Sequence, residues 1–187
     1  MKFSKIFTPR IIITIIILAF LLGIVGTMLT SCVERLFYPR HYSEYVMKYS
    51  DKYAVPPELV FAVIKAESKF DSDAVSHVGA VGLMQILPST CKSIAQYHFG
   101  EDSSLVNLYD PETNIRYGVY YLQYLFSMFG SWEKAIIAYN WGPGNLSNFL
   151  NSNDYTEGNY KSIPVKETRN YVNKVMRYWE KYNELYK

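Results

Sequence analysis

Residues 56–85 read PPELVFAVIKAESKFDSDAVSHVGAVGLMQ, an apolar helix that runs into a polar, glycine-bearing loop. Pro56-Pro57-Glu58 opens the helix with proline and an acid where a first turn favours them. Leu59, Val60, Val63 and Ile64 give it an inward stripe as far as about Ser68. Glu67 breaks the pattern. It follows Val60, Val63 and Ile64 by seven, four and three residues, spacings that put its carboxyl on their face. It also sits near the helix C-terminus, where the negative end of the macrodipole disfavours another negative charge. Burial and dipole together raise its pKa above the ~4.3 of a free glutamate, and a carboxyl still protonated near neutral pH is what a general acid needs. A rim glutamate that reaches water or pairs with a lysine fits the same spacing, so periodicity alone leaves both roles open. Asp71 to Gly82, rich in Asp, Ser and Gly, reads as a structured loop.

Working outward, helical signals recur. Tyr42, Tyr45, Val46, Tyr49 and Tyr53 follow helix spacing upstream. Downstream, Pro88 opens a helix through Ile94. Asp110-Pro111-Glu112 opens another that presents Ile115, Val119, Leu122 and Phe126 on one face and stops at Gly130. Ser131 is placed to cap a helix from Trp132 to about Asn140, which breaks at Gly142-Pro143-Gly144. Asn151–Gly158 reads as a polar loop, and from about Val165 a last helix buries Val172, Val175, Met176 and Trp179. No segment alternates apolar and polar residues well enough to be a strand. The expectation is one all-α domain over residues 33–187.

Residues 11–30, IIITIIILAFLLGIVGTMLT, carry no charge. At ~1.5 Å per residue they span about 30 Å, the thickness of a bilayer core. The basic residues before them predict a cytoplasmic N-terminus and an exported remainder. Residues 1–32 are therefore expected to form a tail and a membrane anchor or signal segment. Leu29-Thr30-Ser31-Cys32 resembles the lipobox of bacterial lipoproteins, but the apolar run exceeds the usual ~7–15-residue signal core. An uncleaved single-pass anchor is the favoured reading and a lipoprotein held at Cys32 the alternative. Cys32 and Cys91 could pair outside the cell, although Cys91 more simply reads as a small buried residue.

The composition, 49% apolar and 19% charged over 187 residues, fits a folded chain of one domain. Lys2, Lys5 and Arg10 precede the first acidic residue, Glu34; without these three of the 19 basic side chains, the rest carries 16 against 17 acidic ones. Nucleic-acid binding needs a concentrated basic face, and this balance argues against it. His41, His77 and His98 are scattered, no Cys-x-x-Cys occurs and no glycine loop follows a strand, so neither metal nor cofactor is expected. The 18 Tyr, 10 Phe and 3 Trp suit the apolar faces of sugar rings, though many must serve helix packing.

Four motifs lie in register. Ala66-Glu67-Ser68 is followed by Ser76-His77-Val78-Gly79-Ala80-Val81-Gly82-Leu83-Met84-Gln85. Ala138-Tyr139-Asn140 with Gly142-Pro143-Gly144 comes next, and then Ile163-Pro164 with Glu167-Thr168-Arg169-Asn170-Tyr171-Val172. In this order the set resembles the catalytic domain of the soluble-type lytic transglycosylases that cleave bacterial peptidoglycan, over roughly residues 42–182. The resemblance implies a goose-lysozyme-like, mainly helical fold with a groove for the glycan strand. Glu67 matches the family's lone acid/base. Ser76, Met84, Gln85, Tyr139, Asn140, Glu167 and Tyr171 match residues that line the cleft or bind substrate. Trp141 departs from the pattern, since a small residue usually follows the Tyr-Asn pair.

By that resemblance, Glu67 protonates the bond between N-acetylmuramic acid and N-acetylglucosamine, the substrate's own acetamido group supports the cationic centre, and the muramoyl 6-hydroxyl closes a 1,6-anhydro ring without water. Asp71, Asp73 or Glu167 could in principle supply a second carboxylate of the kind ordinary glycosidases need, but turn-capping and first-turn placement are their simpler roles. Gln85 and Asn140 could equally satisfy loop backbone, and Met84 reads as packing. A muramidase using the same Glu67 with a placed water, and a membrane-tethered glycan-binding protein without turnover, are the alternatives. The expected partners are peptidoglycan strands and, through the N-terminal helix, the bacterial membrane; a monomer is expected.

Overall fold

The computed structural model describes residues 9–152 and 162–187. Among them the fold is all-α: eight α-helices and two isolated antiparallel bridges, Val75 to Val81 and Val81 to Ile86, with no strand. The chain divides after Pro39 into two units.

The first unit holds α1, Pro9–Phe37. Within Ile11–Phe37 an 18-residue window has a mean hydropathy of 2.9 with none of it buried in protein, and the helix is long and apolar enough to cross a bilayer. The helix runs through Cys32 without a break. Cys32 is exposed and Cys91 buried, and both are free thiols.

The second unit contains α2 (Ser43–Tyr53), α3 (Pro57–Glu67), α4 (Pro88–Ile94), α5 (Pro111–Phe129), α6 (Trp132–Trp141), α7 (Pro143–Asn151) and α8 (Lys166–Tyr186). The reasons for most boundaries are local. Pro57 and Pro111 sit in the first turns of their helices, where the missing N–H costs nothing. The Asp110 carboxylate accepts from the Thr113 N–H at 2.8 Å, and Gly130 ends α5 in the left-handed region at φ 68°. Ser131 occupies the position before α6 but its hydroxyl makes no cap bond. α4 continues past Ile94 as a π-helical turn, Ala95–Phe99, before Gly100 stops it.

α7 falls where the sequence reading places only a break. Pro143 starts that helix instead of barring one, and Leu146 is its buried anchor. Asn151 closes α7, and residues 153–158 of the expected polar loop lie outside the described residues.

α3 is the central helix. Every residue from Glu58 to Ile64 is buried, wider than the one-sided stripe expected, because α8 and α2 pack around it. α8 lies against both α3 and α6, and α6 also packs on α5 and α7. Much of the aromatic content is accounted for by packing: Phe99 meets Tyr117 and Tyr120 at 5.0 and 4.8 Å, and Tyr53 meets Tyr120 at 5.4 Å. Phe61 and Tyr182 join α3 to α8 at 5.6 Å.

Candidate active site

α3 carries Glu67 to its last turn and there the chain turns sharply. Ser68 closes the helix with its N–H on the Ile64 carbonyl, and Lys69 and Phe70 both take left-handed backbone angles, φ 55° and 70°. Two consecutive non-glycine residues in that region are strained, and strain of this kind is held where the surroundings over-determine it. Here the Ser68 hydroxyl donates to the Leu83 carbonyl at 2.8 Å and accepts from the Phe70 N–H at 3.1 Å, tying the turn to the far end of the loop.

The loop is fixed from beneath by Asn114 of α5, which is fully buried. Its side-chain oxygen accepts from the Met84 N–H at 2.8 Å, and its amide donates to the carbonyls of Val81 and Leu108 at 2.8 Å each. Gly82, at φ 78°, lies so close that a Cβ there would stand 2.3 Å from the Asn114 amide nitrogen. Gly118, one turn further along α5, gives way to the Met84 side chain, which is fully buried.

Glu67 projects from this frame into a cavity of about 340 Å³ walled by α3, α6 and α8. The Tyr171 hydroxyl donates to Glu67 Oε1 at 2.6 Å. Burial pushes the Glu67 carboxyl up to about 7; the Tyr171 hydrogen bond and the positive charge of Lys174 both oppose that rise without cancelling it. Tyr171 and Tyr139 are themselves held well above the ordinary phenol range, first by burial and then by the Glu67 charge. Tyr139 does not spend its hydroxyl on the carboxyl. It donates to the Met84 carbonyl at 2.7 Å and so locks α6 to the loop.

The expected site residues fall into three groups. Glu67, Asn140, Glu167 and Tyr171 share the cavity wall. Gln85, Tyr139 and Asn140 line an adjoining cavity of about 300 Å³, together with Tyr121, Trp141 and Thr90, so Asn140 belongs to both spaces. Gln85, at φ 50°, also donates its amide to the carbonyls of Ala74 and Gly82 at 3.0 and 2.9 Å, the backbone role open to it from the sequence. Ser76 and Met84 act from behind: the Ser76 hydroxyl accepts from the Ala80 N–H at 3.0 Å within its own turn, and the Met84 side chain is core. Asp71 accepts from the Asp73 N–H at 2.9 Å, a turn-capping contact.

Several contributors were given no role from the sequence, Asn170 among them although it stands within the fourth motif. Lys174 and Asn170 line the Glu67 cavity, Tyr121 lines its neighbour, and Asn114 braces the loop. Tyr171 and Lys174 lie three apart on α8, and that spacing is the one signal that could have linked Lys174 to the site.

A larger cavity, about 570 Å³, lies by the start of α3 and is mostly apolar, with the exposed Asp51 as its carboxylate. Chemistry, more than size, selects the space around Glu67: a carboxyl titrating near neutrality, a hydroxyl aimed at it and an open wall beside it. Among the described residues no cluster of three His, Cys, Asp or Glu could hold a metal ion.

Residues 44–162 match the family model described as the Transglycosylase SLT domain. The chain is 36% identical over 146 residues to the soluble lytic murein transglycosylase of Escherichia coli, an alignment covering 75% of this chain and 23% of that protein. It is 30% identical over 167 residues to the membrane-bound lytic murein transglycosylase C of Actinobacillus pleuropneumoniae, covering 76% and 46%. The crystal structure of the 70 kDa soluble lytic transglycosylase from Escherichia coli superposes with a TM-score of 0.73 at 36% identity, over 79% of this chain and 25% of that one. A structure described as an inactive glutamate-to-glutamine mutant of the lytic transglycosylase Slt from Pseudomonas aeruginosa gives 0.73 at 33% identity, over 80% and 25%. The chain thus spans about a quarter of the length of its soluble relatives and about half that of the membrane-bound one.

Proposed function

The chain belongs to the transglycosylase SLT family, and from that premise we propose that residues 33–187 form a peptidoglycan lytic transglycosylase held at the membrane by residues 1–32. The reaction is cleavage of the β-1,4 bond between N-acetylmuramic acid and N-acetylglucosamine, with Glu67 as the single acid/base and a 1,6-anhydromuramoyl end as product. The observation that carries it is the Glu67 carboxyl, drawn out of water beside an open cavity and pushed up to about 7, so that a large fraction is protonated near neutral pH.

Glu67 gives its proton to the glycosidic oxygen as the bond to C1 breaks, and the acetamido oxygen of the same muramoyl residue shields the cationic centre. The carboxylate so formed takes the proton of the muramoyl 6-hydroxyl while that oxygen closes on C1. The proton ledger balances on one residue and no water is consumed. Glu167, the other carboxylate of the cavity, is exposed in the first turn of α8, and the groups that act on Glu67 beyond burial are Tyr171 and Lys174. Tyr171 orients the carboxyl. Asn140, between the two cavities, is placed to hydrogen-bond sugar on either side of the break, and Gln85, Tyr121 and Trp141 offer walls for the next residues of the strand. Trp141 makes this wall bulkier than the family pattern.

Glu67→Gln is expected to lower cleavage of purified sacculi by at least about 10²–10⁴-fold while the variant stays folded and still binds. The inactive glutamate-to-glutamine mutant of the Pseudomonas aeruginosa relative is in keeping with that outcome. Unchanged turnover would reject the assignment, and mass spectrometry of the products separates anhydro ends from the reducing ends that a muramidase leaves. The apolar α1 and the membrane-bound relatives support the tether.

A further inference from the structure

Burial alone makes a poor acid/base of a carboxyl that must both release a proton and recover one. A side chain withdrawn from water with no compensating charge holds its proton too tightly, while a freely solvated one has lost it before reaching neutrality. The groups facing Glu67 therefore decide how useful it is. From α8 these are Tyr171, Lys174 and, across the cavity, Glu167; from α6 they are Tyr139 and Asn140. On α3 itself Lys65 is drawn over the Tyr178 ring, 5.1 Å from its centroid.

Among these groups, Lys174 has a placement that the chemistry described above does not use. Its ammonium donates to the Ala66 carbonyl at 2.9 Å, one residue before Glu67, and it lines the same cavity. The carbonyls of a helix's last turn have no partners within the helix, and their combined dipole is negative. A half-buried cation fixed on that end does two things: it satisfies a carbonyl and offsets the local potential in which the Glu67 carboxylate must form. Lys174 stands three residues after Tyr171 on α8, with its ammonium 5.8 Å from the Tyr171 ring centroid, so hydroxyl and ammonium reach the end of α3 from one face of one helix.

We propose that Lys174 is a positioning residue that clamps the C-terminal end of α3 and, through its charge, sets how readily Glu67 releases and regains its proton. The inference deepens the functional reading above and rests on it for its meaning, but the quantity it concerns is a property of the folded chain without substrate.

The test separates charge from clamp. Lys174→Gln keeps an amide donor for the Ala66 carbonyl and drops the charge; Lys174→Arg keeps the charge. With the full chain in detergent micelles and glutamate labelled with ¹³C at the side-chain carboxyl, the Glu67 resonance is identified by its loss in Glu67→Gln and titrated. The expected result is a midpoint raised by at least about 0.3 pH unit in Lys174→Gln and held near that of the native chain in Lys174→Arg. The alkaline limb of the pH–kcat profile should move up in step, whereas a merely structural residue would lower kcat without moving that limb. A midpoint that is unchanged or lowered in Lys174→Gln overturns the proposal, as does one displaced equally in both variants. Should Lys174→Gln fail to fold, Lys174→Met, which drops donor and charge together, is set against Lys174→Arg with the same midpoints expected, and failure of both neutral variants to fold would reduce Lys174 to a scaffold residue and equally overturn it. Because the titration needs no turnover, survival of activity in Glu67→Gln would sink the functional reading and leave this measurement to be judged by itself.

Discussion

A carboxyl that binds its proton more tightly in the folded chain than in the unfolded one leaves a signature in stability. Glu67, at about 7 when folded, falls back towards the ordinary ~4.3 when the chain unfolds. Its contribution to stability is fully present below the unfolded value and is lost as pH rises through the folded one. Above pH 7 the native protein therefore carries a half-buried carboxylate at a cost of roughly 3–4 kcal/mol at most, at 1.36 kcal/mol for each tenfold change in proton affinity. Glu67→Gln removes that cost, and its amide can still accept from the Tyr171 hydroxyl. The variant is expected to be more stable than the native chain at about pH 8 and indistinguishable from it near pH 4, as measured by urea unfolding at the two pH values. A variant no more stable at pH 8 would mean that Glu67 ionises in the folded chain as easily as in water. The same residue would then have no reserve of protonated acid at neutrality, so stability and activity test one property from two sides.

At the scale of elements, the site is an arrangement of three helix segments and a loop, and they were legible to different degrees. α2, α3, α5 and α8 declare themselves through apolar periodicity, proline in the first turn and a glycine or polar stop, signals that lie within one turn of the feature they predict. α7 does not, because Pro143 and Gly144 read as breakers until tertiary packing gives Leu146 a core to enter. Glu67, Tyr139, Asn140, Glu167 and Tyr171 could be named from motifs. That Tyr139 would bond a backbone carbonyl while Tyr171 bonds the carboxyl is a matter of how α6 and α8 cross, which no local pattern encodes. Asn114 is the clearest case. In sequence it is a polar residue early in a helix, where solvent exposure is the ordinary outcome. In the fold it is fully buried and makes three bonds, two that hold residues 81–84 to α5 and one that ties in the Leu108 carbonyl. Asn114→Ala leaves one N–H and two carbonyls without those partners, at about 1–3 kcal/mol for each group left unsatisfied. The expected loss is about 3 kcal/mol by chemical denaturation, some of the penalty being relieved where water enters. Activity should fall further than stability requires, because the Met84 carbonyl that anchors Tyr139 is released with the loop. A variant that loses neither would show that the loop holds its shape without α5.

At the scale of the whole molecule, the question is what keeps a nearly neutral domain at its substrate. Residues after Glu34 offer no net charge to draw the protein to an anionic surface, so in the proposed reading attachment falls to the N-terminal segment. Two forms of attachment make opposite demands on Cys32. A lipoprotein would be cut before that residue and would lose the whole apolar run, keeping acyl chains on the new N-terminus. A signal anchor keeps the run and has no use for the thiol. α1 continues through Cys32 to Phe37, and its apolar stretch is long enough to span a bilayer as it stands, whereas a cleaved signal core needs only about half that length. The expected outcome is that the full chain recovered from membranes has the mass of the uncut polypeptide with a free Cys32, and that Cys32→Ala partitions with membranes as the native chain does. Loss of membrane retention in Cys32→Ala, or a native mass reduced by the leader and increased by acyl groups, would transfer the tether from the helix to the cysteine. The catalytic reading of residues 33–187 would survive that result, because it rests on Glu67 and the cavity beside it. What would change is the physics of attachment: two or three acyl chains in one leaflet hold a domain by the area of chain they bury, while an uncut helix with Lys2, Lys5 and Arg10 behind it also fixes which side of the membrane the domain faces.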